Sequence, residues 1–515
     1  MNQTIKQYKQ TIQELLEDKK YTIILMLVTI LSFGFAITHE SVGPDDLCFD
    51  RYFQDTYILS QGRWVTYLLY NILQITSFSP FWLELLTTIV LFFTAIILTA
   101  FLKKQLGNKL NNGIYLLFSC LFISFPIAKE YFVYQIPSLA ITIGNLLMII
   151  IAILIYENYY NLKSKKIFII LGIMTAISIC IYESCIQTFL VMIFFQTLIR
   201  AKFKEDTTKD AIKYVLKAII QLAIGVLIYK IIGDLLVKVL GMFGVLQKDY
   251  ALHTTIIEKI ISLKDTPELV NQAINTWLKI IIVTVFVTEK SYITVFIVVQ
   301  ILALVLSIVD SIKKKKVGIF LSVLGLILAN YIFTIIMQKP QLRINYSWSV
   351  SMALLLIYIY ILVKDMKYAT KIFLTIYVLL VVYNTRILNN QFYNEYLGYE
   401  KDKSDAYTIA RQIYIQCEDV TKPVYYIIEK KGVYEREKYI EGRTSVLKWG
   451  VMAFDEKATE TTKFINSLGY NFSYITKEQA AEAFGEYKKI KDTIDENQWV
   501  IELEKYILVK LEFIE

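Results

Sequence analysis

The chain has 515 residues, of which 56% are hydrophobic and only 19% are charged. A soluble protein of this length has no interior large enough for so many apolar side chains, so the composition predicts an integral membrane protein. The formal net charge is +8, but the lysines stand in short clusters between apolar runs, as they do in the cytoplasmic loops of membrane proteins. We therefore expect no nucleic-acid partner.

Apolar runs of about 18 to 22 residues recur along the chain, which is roughly the length a helix needs to cross the hydrocarbon core. Such continuous runs lack the alternation of apolar and polar side chains that a membrane-spanning barrel requires. The runs and the lysine clusters predict about eleven spans, at 21–38, 80–104, 113–127, 136–156, 167–181, 185–199, 214–240, 291–310, 317–337, 348–363 and 368–383. The expected fold class is an α-helical polytopic membrane protein.

The lysines also set the expected orientation in the plasma membrane. Lys19 and Lys20 stand directly before the first span, which predicts that residues 1–20 are cytoplasmic. Residues 21–387 then form the transmembrane domain, and an odd number of spans leaves residues 388–515 outside. In this last segment we expect a small α/β domain, with a helix and short strands at 405–417, 423–428 and 499–509.

Two adjacent acids stand near the start of the loop that follows the first span. Asp45 and Asp46 come after Gly43 and Pro44, a turn sequence that brings them back toward the membrane. Adjacent carboxylates near a low-dielectric surface raise each other's proton affinity, as a general base requires. The alternative is that both are solvated loop charges, which is the usual state of acidic residues outside a membrane.

Cations in two of the predicted external loops form a second group. Arg51 and Arg63 follow the acid pair, and Lys339 and Arg343 lie between the ninth and tenth spans. A guanidinium is a forked donor suited to phosphate, and a phosphate at the membrane face suggests a lipid phosphate or diphosphate. The alternative is that these side chains only reach for lipid head groups.

Further polar side chains stand near the predicted external ends of spans, at Glu40, Glu130, Glu183 and Gln187. Ionisable groups at membrane depth are candidates for function, although a helix-terminal charge in water is an equally simple interpretation. The five cysteines have no metal-ligand spacing and there are only two histidines. A zinc site is therefore not expected.

Several of these residues fall into short motifs. The first loop carries Asp45 and Asp46, then Arg51, then the dipeptide Gly62-Arg63. Other motifs are FPIAKEYF at 125–132, IYESCIQ at 181–187 and Lys-Pro-Val at 422–424. Together they resemble the GtrII-like glucosyltransferase family of the GT-C class, in which an Asp-Asp pair, an arginine and a Gly-Arg dipeptide occupy the first external loop.

The resemblance implies a bacterial membrane enzyme with a GT-C-like helical bundle. It would move one sugar, glucose or a related hexose, from a polyprenyl-phosphate-sugar donor to a cell-envelope glycan at the external membrane face. Asp46, or else Asp45, is expected to act as the base in an inverting reaction. The expected donor-phosphate and sugar-positioning residues are Arg51, Arg63, Arg343 and Lys339, and Glu130, Glu183, Gln187 and Glu40, respectively.

A metal requirement stays open, because carboxylate and phosphate oxygens together also suit Mg²⁺ or Mn²⁺. Two other functions are alternatives. A transporter or flippase for lipid-linked sugars predicts ionisable residues in the middle of spans and repeated halves, whereas the polar clusters here lie at span ends. An envelope polysaccharide polymerase would use a large later loop rich in Arg and His, but residues 241–290 contain no Arg and only one His.

Overall fold

A computed structural model describes residues 2–43, 46, 57–75, 79, 81–159, 165–204, 206–244, 271, 275, 291–333, 342–427, 459–494 and 498–510. The chain divides into two compact units. The first takes in most of the chain up to Asn390. The second combines the chain from Gln391 onwards with two short segments that contain Asp46 and Tyr134.

The first unit is a helical bundle. Its helices are α1 Asn2–Glu17, α2 Lys19–Thr38, α3 Tyr57–Ser60, α4 Trp64–Ile72, α5 Trp82–Leu106, α6 Asn112–Ser124, α7 Ala128–Phe132, α8 Gln135–Glu157, α9 Lys165–Ile181, α10 Cys185–Phe203, α11 Thr208–Met242, α12 Ser291–Lys314, α13 Val317–Ala329, α14 Ser347–Val363 and α15 Lys367–Gln416. Each predicted span overlaps one helix of this series.

Within the described part of the chain, seven helices are long and apolar enough to cross a membrane, and four more apolar helices are shorter. The shorter ones are α6, α9, α13 and α14. A helix of 13 residues such as α6 rises about 20 Å, less than the roughly 30 Å of a hydrocarbon core. The structure therefore gives a membrane protein, while the count of eleven complete crossings stays a prediction.

Helix α14 occupies the centre of the bundle. Every side chain from Ser347 to Tyr360 is buried, and α14 packs against α6, α10 and α12. An apolar helix in a membrane can face lipid or other helices, and the burial of α14 on all sides, including Ser349 and Ser351, shows that other helices surround it. Trp348 is fully buried here, and its ring lies 5.1 Å from that of Phe296.

One end of the bundle, which we call the basic end, gathers the lysine clusters. It consists of the ends of α5, α8, α10, α12 and α14 with the starts of α13 and α15. The contacts that join these helix ends are Lys104 Nζ to Glu157 (2.9 Å), Lys316 Nζ to Ala201 O (3.1 Å), Lys364 Nζ to Lys109 O (3.3 Å) and the ion pair of Lys202 with Asp310. Four of the lysine clusters between the predicted spans, represented by Lys104, Lys202, Lys316 and Lys364, thus share one end.

The opposite end, which we call the loop end, consists of α4, α7 and the turns at 182–184 and 342–346. Thr66 donates a hydrogen bond to the carbonyl oxygen of Ile181 over 2.7 Å, which ties α4 to the turn after α9. The ring of Tyr131 lies 5.6 Å from that of Tyr346, which joins α7 to the turn before α14. The loop end therefore brings together segments that are far apart in the sequence.

Helix α15 differs from the expectation of a span ending near 383 and a separate helix at 405–417. It is one continuous helix of 50 residues, since no proline interrupts the polar stretch between those two patterns. At 1.5 Å per residue the helix is about 75 Å long. Its first part belongs to the first unit and its last part to the second.

The second unit contains a three-stranded sheet, β1 Val424–Ile427, β2 Val500–Glu502 and β3 Ile507–Lys510, in the order β1-β3-β2. Strand β1 runs parallel to β3, and β2 runs antiparallel to it. The predicted strand at 499–509 is therefore two strands, and Leu503 donates a backbone hydrogen bond to Tyr506 to close the turn between them. Helices α16 Thr459–Ser467 and α17 Lys477–Ile490 complete the unit.

Candidate active site

Arg63 sits at the loop end, on the turn between α3 and α4. Gly62 has a φ of +77°, and a Cβ atom there would lie only 2.5 Å from the hydroxyl oxygen of Tyr229. Only glycine fits this conformation and this space. The Gly-Arg dipeptide thus has a physical reason: the missing side chain lets Tyr229 approach, and the turn sets the direction in which Arg63 leaves the backbone.

The guanidinium of Arg63 lies over the ring of Tyr182, 4.6 Å from its centroid. Its Nη1 donates a hydrogen bond of 3.1 Å to Gln61. Its Nε is buried and has no hydrogen-bond partner among the described residues. An arginine held by a ring on one face, with a buried N–H left over, has donor capacity for a further acceptor such as a phosphate oxygen.

Glu183 directly follows Tyr182, the residue whose ring contacts Arg63, on the short turn between α9 and α10. The hydroxyl of Tyr229, on α11, donates a hydrogen bond of 2.8 Å to its carboxylate. Arg63, Tyr182, Glu183 and Tyr229 therefore form one group, which we call the Arg63 cluster. The sequence predicted roles for Arg63 and Glu183 but none for the two tyrosines.

An apolar groove of about 200 Å³ lies beside the Arg63 cluster. Its walls come from residues 59–68 on one side and from α11 on the other, and it is lined by Leu59, Gly62, Trp64, Tyr67, Leu68, Gly233, Leu236, Val237 and Leu240. Gly62 and Trp64 flank Arg63 directly in the chain. The groove therefore places an apolar surface and a cation next to each other at the loop end.

Gln187 lies one turn further along α10 from Glu183 and is fully buried. The hydroxyl of Ser347 lies 3.3 Å from its Oε1 and 3.0 Å from Asn330 Oδ1, and can donate to either. Asn330 in turn donates to Ser351 over 2.9 Å. The Nε2 of Gln187 has no partner within the described residues. A chain of polar groups thus leads from the loop end into the bundle.

Glu130 and Arg343 lie on adjacent segments of the loop end. Glu130 belongs to α7 and is partly exposed, while Arg343 belongs to a single 3-10 turn at Leu342–Ile344. The packing of Tyr131 on Tyr346 holds these two segments together. Two sequence-predicted polar side chains therefore share one corner of the loop end.

Asp46 belongs to the second unit and is buried, with 3% of its surface exposed. The backbone N–H of Gly43 donates to its carboxylate over 2.8 Å, and its own N–H donates to Gly43 O over 3.1 Å. A Cβ atom on Gly43 would lie 2.2 Å from the carbonyl oxygen of Val133. The turn that carries Asp46 is therefore fixed by a glycine that no larger residue can replace without movement.

Nearby contacts hold the same loop in the second unit. Gln135 donates a hydrogen bond of 3.1 Å to Ser41 O, and the ring of His39 packs edge-on against Tyr396 of α15 at 5.0 Å. Glu40 is exposed. Asp45, Arg51 and Lys339 lie outside the described residues. Among the residues that are described, no three His, Cys, Asp or Glu side chains are grouped closely enough to hold a metal ion.

Comparison with known proteins gives one finding. A family model described as Glucosyl transferase GtrII matches residues 34–362, which is more than half of the chain and contains both Asp46 and the Arg63 cluster. No curated protein matches the chain, and no solved structure does.

Proposed function

The chain belongs to the GtrII glucosyltransferase family, and on that premise we propose that it moves one glucose or related hexose from a polyprenyl-phosphate-sugar donor to a cell-envelope glycan. Family membership itself makes the protein a membrane glycosyltransferase of the GT-C type. The donor, the acceptor, the external face and the residue roles are the proposal.

The observation that carries the proposal is the position of the apolar groove beside the Arg63 cluster. A polyprenyl-phosphate sugar has an anionic phosphate between an apolar tail and a polar sugar. Arg63 offers a buried Nε without a partner in the described part of the protein, and the groove offers about 200 Å³ of apolar space. A cavity of about 150 Å³ already accommodates benzene, so the groove accepts the first five-carbon units of an isoprenoid.

The leaving group needs little acid assistance in this reaction. When the bond between the anomeric carbon and the phosphate oxygen breaks, the electron pair stays on the phosphate, which leaves as a stable anion. The positive charge of Arg63 stabilises the negative charge that develops there. We assign Arg51, Arg343 and Lys339 to the same phosphate.

The acceptor hydroxyl is a poor nucleophile and must lose its proton as it attacks. We assign Asp46 as the base that takes this proton, with Asp45 as the alternative, while the hydroxyl oxygen bonds to the anomeric carbon from the side opposite the phosphate. This single displacement inverts the configuration at the sugar. The Gly43 N–H donates a hydrogen bond to one oxygen of the Asp46 carboxylate. This bond fixes the orientation of the carboxylate and therefore of its second oxygen.

Glu183, Glu130, Gln187 and Glu40 are assigned to sugar hydroxyls of donor or acceptor. For Glu183 the support is its hydrogen bond from Tyr229, which fixes the orientation of its carboxylate within the Arg63 cluster. For Gln187 it is the buried Nε2, a donor suited to a hydroxyl oxygen. The basic end is assigned to the cytoplasm, which places this chemistry outside.

The experiment that tests the function is an incubation of the purified protein with radiolabelled glucose on a short polyprenyl phosphate. We expect free lipid phosphate to appear only when envelope glycan is present, and the label to move to the glycan. Transport of the intact lipid across a vesicle membrane, without cleavage of the sugar–phosphate bond, would contradict the transferase function. Full activity in excess chelator would remove Mg²⁺ or Mn²⁺ from the mechanism.

A further inference from the structure

A group of aromatic rings lies on the second unit, outside every site described above. Tyr407 and Tyr414 of α15 both pack against Tyr470, each with ring centroids 6.2 Å apart. Tyr470 also stacks on Phe472 at 5.8 Å, with the two ring planes only 14° apart. We call Tyr407, Tyr414 and Tyr470 the tyrosine platform.

The tyrosine platform is accessible. Tyr407 is 47% exposed and Tyr414 is 52% exposed, although each already packs against another ring. Phe472 beneath them is only 2% exposed. The buried phenylalanine thus supports a surface of tyrosine rings, which is the arrangement of a binding surface rather than of a core.

The platform is also preorganised by its backbone. Asn466 bonds twice to Phe472, donating from Nδ2 to its carbonyl oxygen over 2.9 Å and accepting its N–H over 2.8 Å. Gly469, with a φ of +99°, makes the turn that presents Tyr470. Tyr407 and Tyr414 stand on a regular helix. Binding of a ligand that stacks here therefore costs little conformational entropy in these side chains.

The cationic side chain of Arg411 lies beside the tyrosine platform. Arg411 is four residues after Tyr407 and three before Tyr414, so all three side chains share one face of α15. Arg411 is exposed, and no acidic side chain pairs with it in the described part of the protein. The platform therefore combines two exposed ring faces, phenolic hydroxyl groups and a guanidinium that attracts an anion.

The position of the tyrosine platform on α15 argues against the membrane surface as its binding partner. Tyr407 comes 40 residues after the start of α15 at Lys367, which is about 60 Å along the helix. A hydrocarbon core is only about 30 Å thick. The rings therefore lie further along α15 than an interfacial aromatic belt would.

We propose that the tyrosine platform binds a glycan that carries anionic groups, such as uronic acid residues. The apolar C–H faces of sugar rings pack on aromatic faces, their hydroxyl groups bond to phenolic hydroxyls, and carboxylate or phosphate groups pair with Arg411. Tyr407 and Tyr414 are about 10 Å apart along the helix, which spans two consecutive sugar units. That this glycan is the acceptor rests on the proposed function, but its binding does not.

The test is binding of an oligogalacturonate and of neutral maltoheptaose to the full-length protein in detergent, measured by calorimetry without any donor. We expect the oligogalacturonate to bind more tightly and its binding to weaken with salt. Tyr407→Ala with Tyr414→Ala should weaken it at least about tenfold, whereas Tyr407→Phe should retain most of it. Arg411→Gln should remove the preference for the anionic ligand.

Tyr474→Ala is the matched control, because Tyr474 is 48% exposed in the same unit but lies outside the platform. It should bind like the parent protein. No binding by the parent protein, or equal binding by the Tyr407→Ala, Tyr414→Ala variant in its folded form, would overturn the inference. Self-association that depends on these tyrosines would instead assign the platform to a second copy of the chain and also overturn it. None of these outcomes depends on sugar transfer.

Discussion

The two ends of the bundle handle their charges differently. At the basic end the buried Arg200 pairs with Asp206 at 2.7 Å, and the half-buried Lys104 and Lys202 pair with Glu157 and Asp310. The exposed Lys204 lies over the ring of Tyr156. At the loop end Arg63 and Gln187 each keep a buried N–H group without a partner among the described residues. Buried donors without a hydrogen-bond partner occur at both ends, as Gln196 Nε2 shows near the basic end. The difference is in charge: cations of the basic end form ion pairs with acids, whereas Arg63 forms none among the described residues and keeps a buried N–H.

We propose that this difference separates structural charges from functional ones. A buried ion pair that is complete needs no ligand, and breaking it mainly destabilises the fold. A buried donor without a partner costs free energy in the empty protein, and that cost is recovered when a ligand accepts the hydrogen bond. Charge alone therefore does not identify a site. Our assignment of the donor site to Arg63 rests on a charge with an unused hydrogen-bond donor beside an apolar groove.

The largest effect is expected at the proposed base. Asp46→Asn keeps an acceptor for the Gly43 N–H but cannot take a proton, so we expect the rate of sugar transfer to fall by about 100-fold or more. The initial rate with a labelled lipid donor measures this. Asp492→Asn, on an exposed turn of the same unit, should leave the rate unchanged. A normal rate for both Asp46→Asn and Asp45→Asn would remove the acid pair from the mechanism.

The second prediction sets the two ends against each other. Arg63→Gln should raise the donor KM by about 10- to 100-fold, because a charged hydrogen bond to phosphate is lost. Arg200→Gln should leave the donor KM alone and destabilise the protein by about 3 kcal/mol, because Asp206 loses its buried partner. Enzyme kinetics and thermal unfolding of both variants give the comparison. A raised donor KM in Arg200→Gln, together with an unchanged donor KM in Arg63→Gln, would contradict the assignment of the donor site to the loop end.

A third, smaller effect is expected at Gly62. Alanine there would suffer both from the positive φ and from the hydroxyl of Tyr229, for an expected loss of about 1 to 3 kcal/mol with weaker donor binding. Gly107→Ala is the control, because its φ is +50° but nothing lies within 4 Å of an added Cβ. Tyr229→Phe removes the nearest colliding atom and should partly rescue Gly62→Ala in stability. No rescue would mean that the backbone strain alone decides.

The smallest effect concerns the sheet of the second unit. Lys422 donates a hydrogen bond of 2.6 Å to Glu502, which lowers the pKa of the Glu502 carboxyl, with further help from the Glu418 and Asp419 N–H groups. A lowered pKa stabilises the fold above the unfolded value of 4.5, and this stabilisation is lost as the pH falls through the folded pKa. Amide exchange in β2 and β3 should therefore quicken on acidification, and less so in Glu502→Gln.

Much of the helical framework could be predicted from the sequence, because apolar periodicity and lysine clusters are local signals. The continuity of α15 could not, because charged residues between a span and an amphipathic helix are equally compatible with a loop. Only the absence of a proline between residues 384 and 404 favours one helix. Strands formed where the sequence predicted them, but 499–509 was predicted as one strand although Glu502, Glu504 and Lys505 interrupt its apolar pattern at the turn.

The site was less accessible to sequence reasoning. The Gly-Arg dipeptide and the hairpin tip at Glu183 stood out as motifs, yet Tyr229 did not, since it is one of 37 tyrosines in a helix with no other mark. It reaches Glu183 and Gly62 only through the packing of α11 on α9. The groove likewise joins Trp64 with Leu240, and no local pattern connects residues so far apart in the chain.

The most direct test of the central claim is to find where the donor lipid binds. A short polyprenyl phosphate with a photoreactive group on its tail can be crosslinked to the full-length protein and the labelled peptides identified by mass spectrometry. We predict labelling within residues 59–68 and 233–240, with strong loss of label in Arg63→Gln. Labelling at the basic end, or labelling that is unchanged by Arg63→Gln, would contradict the account.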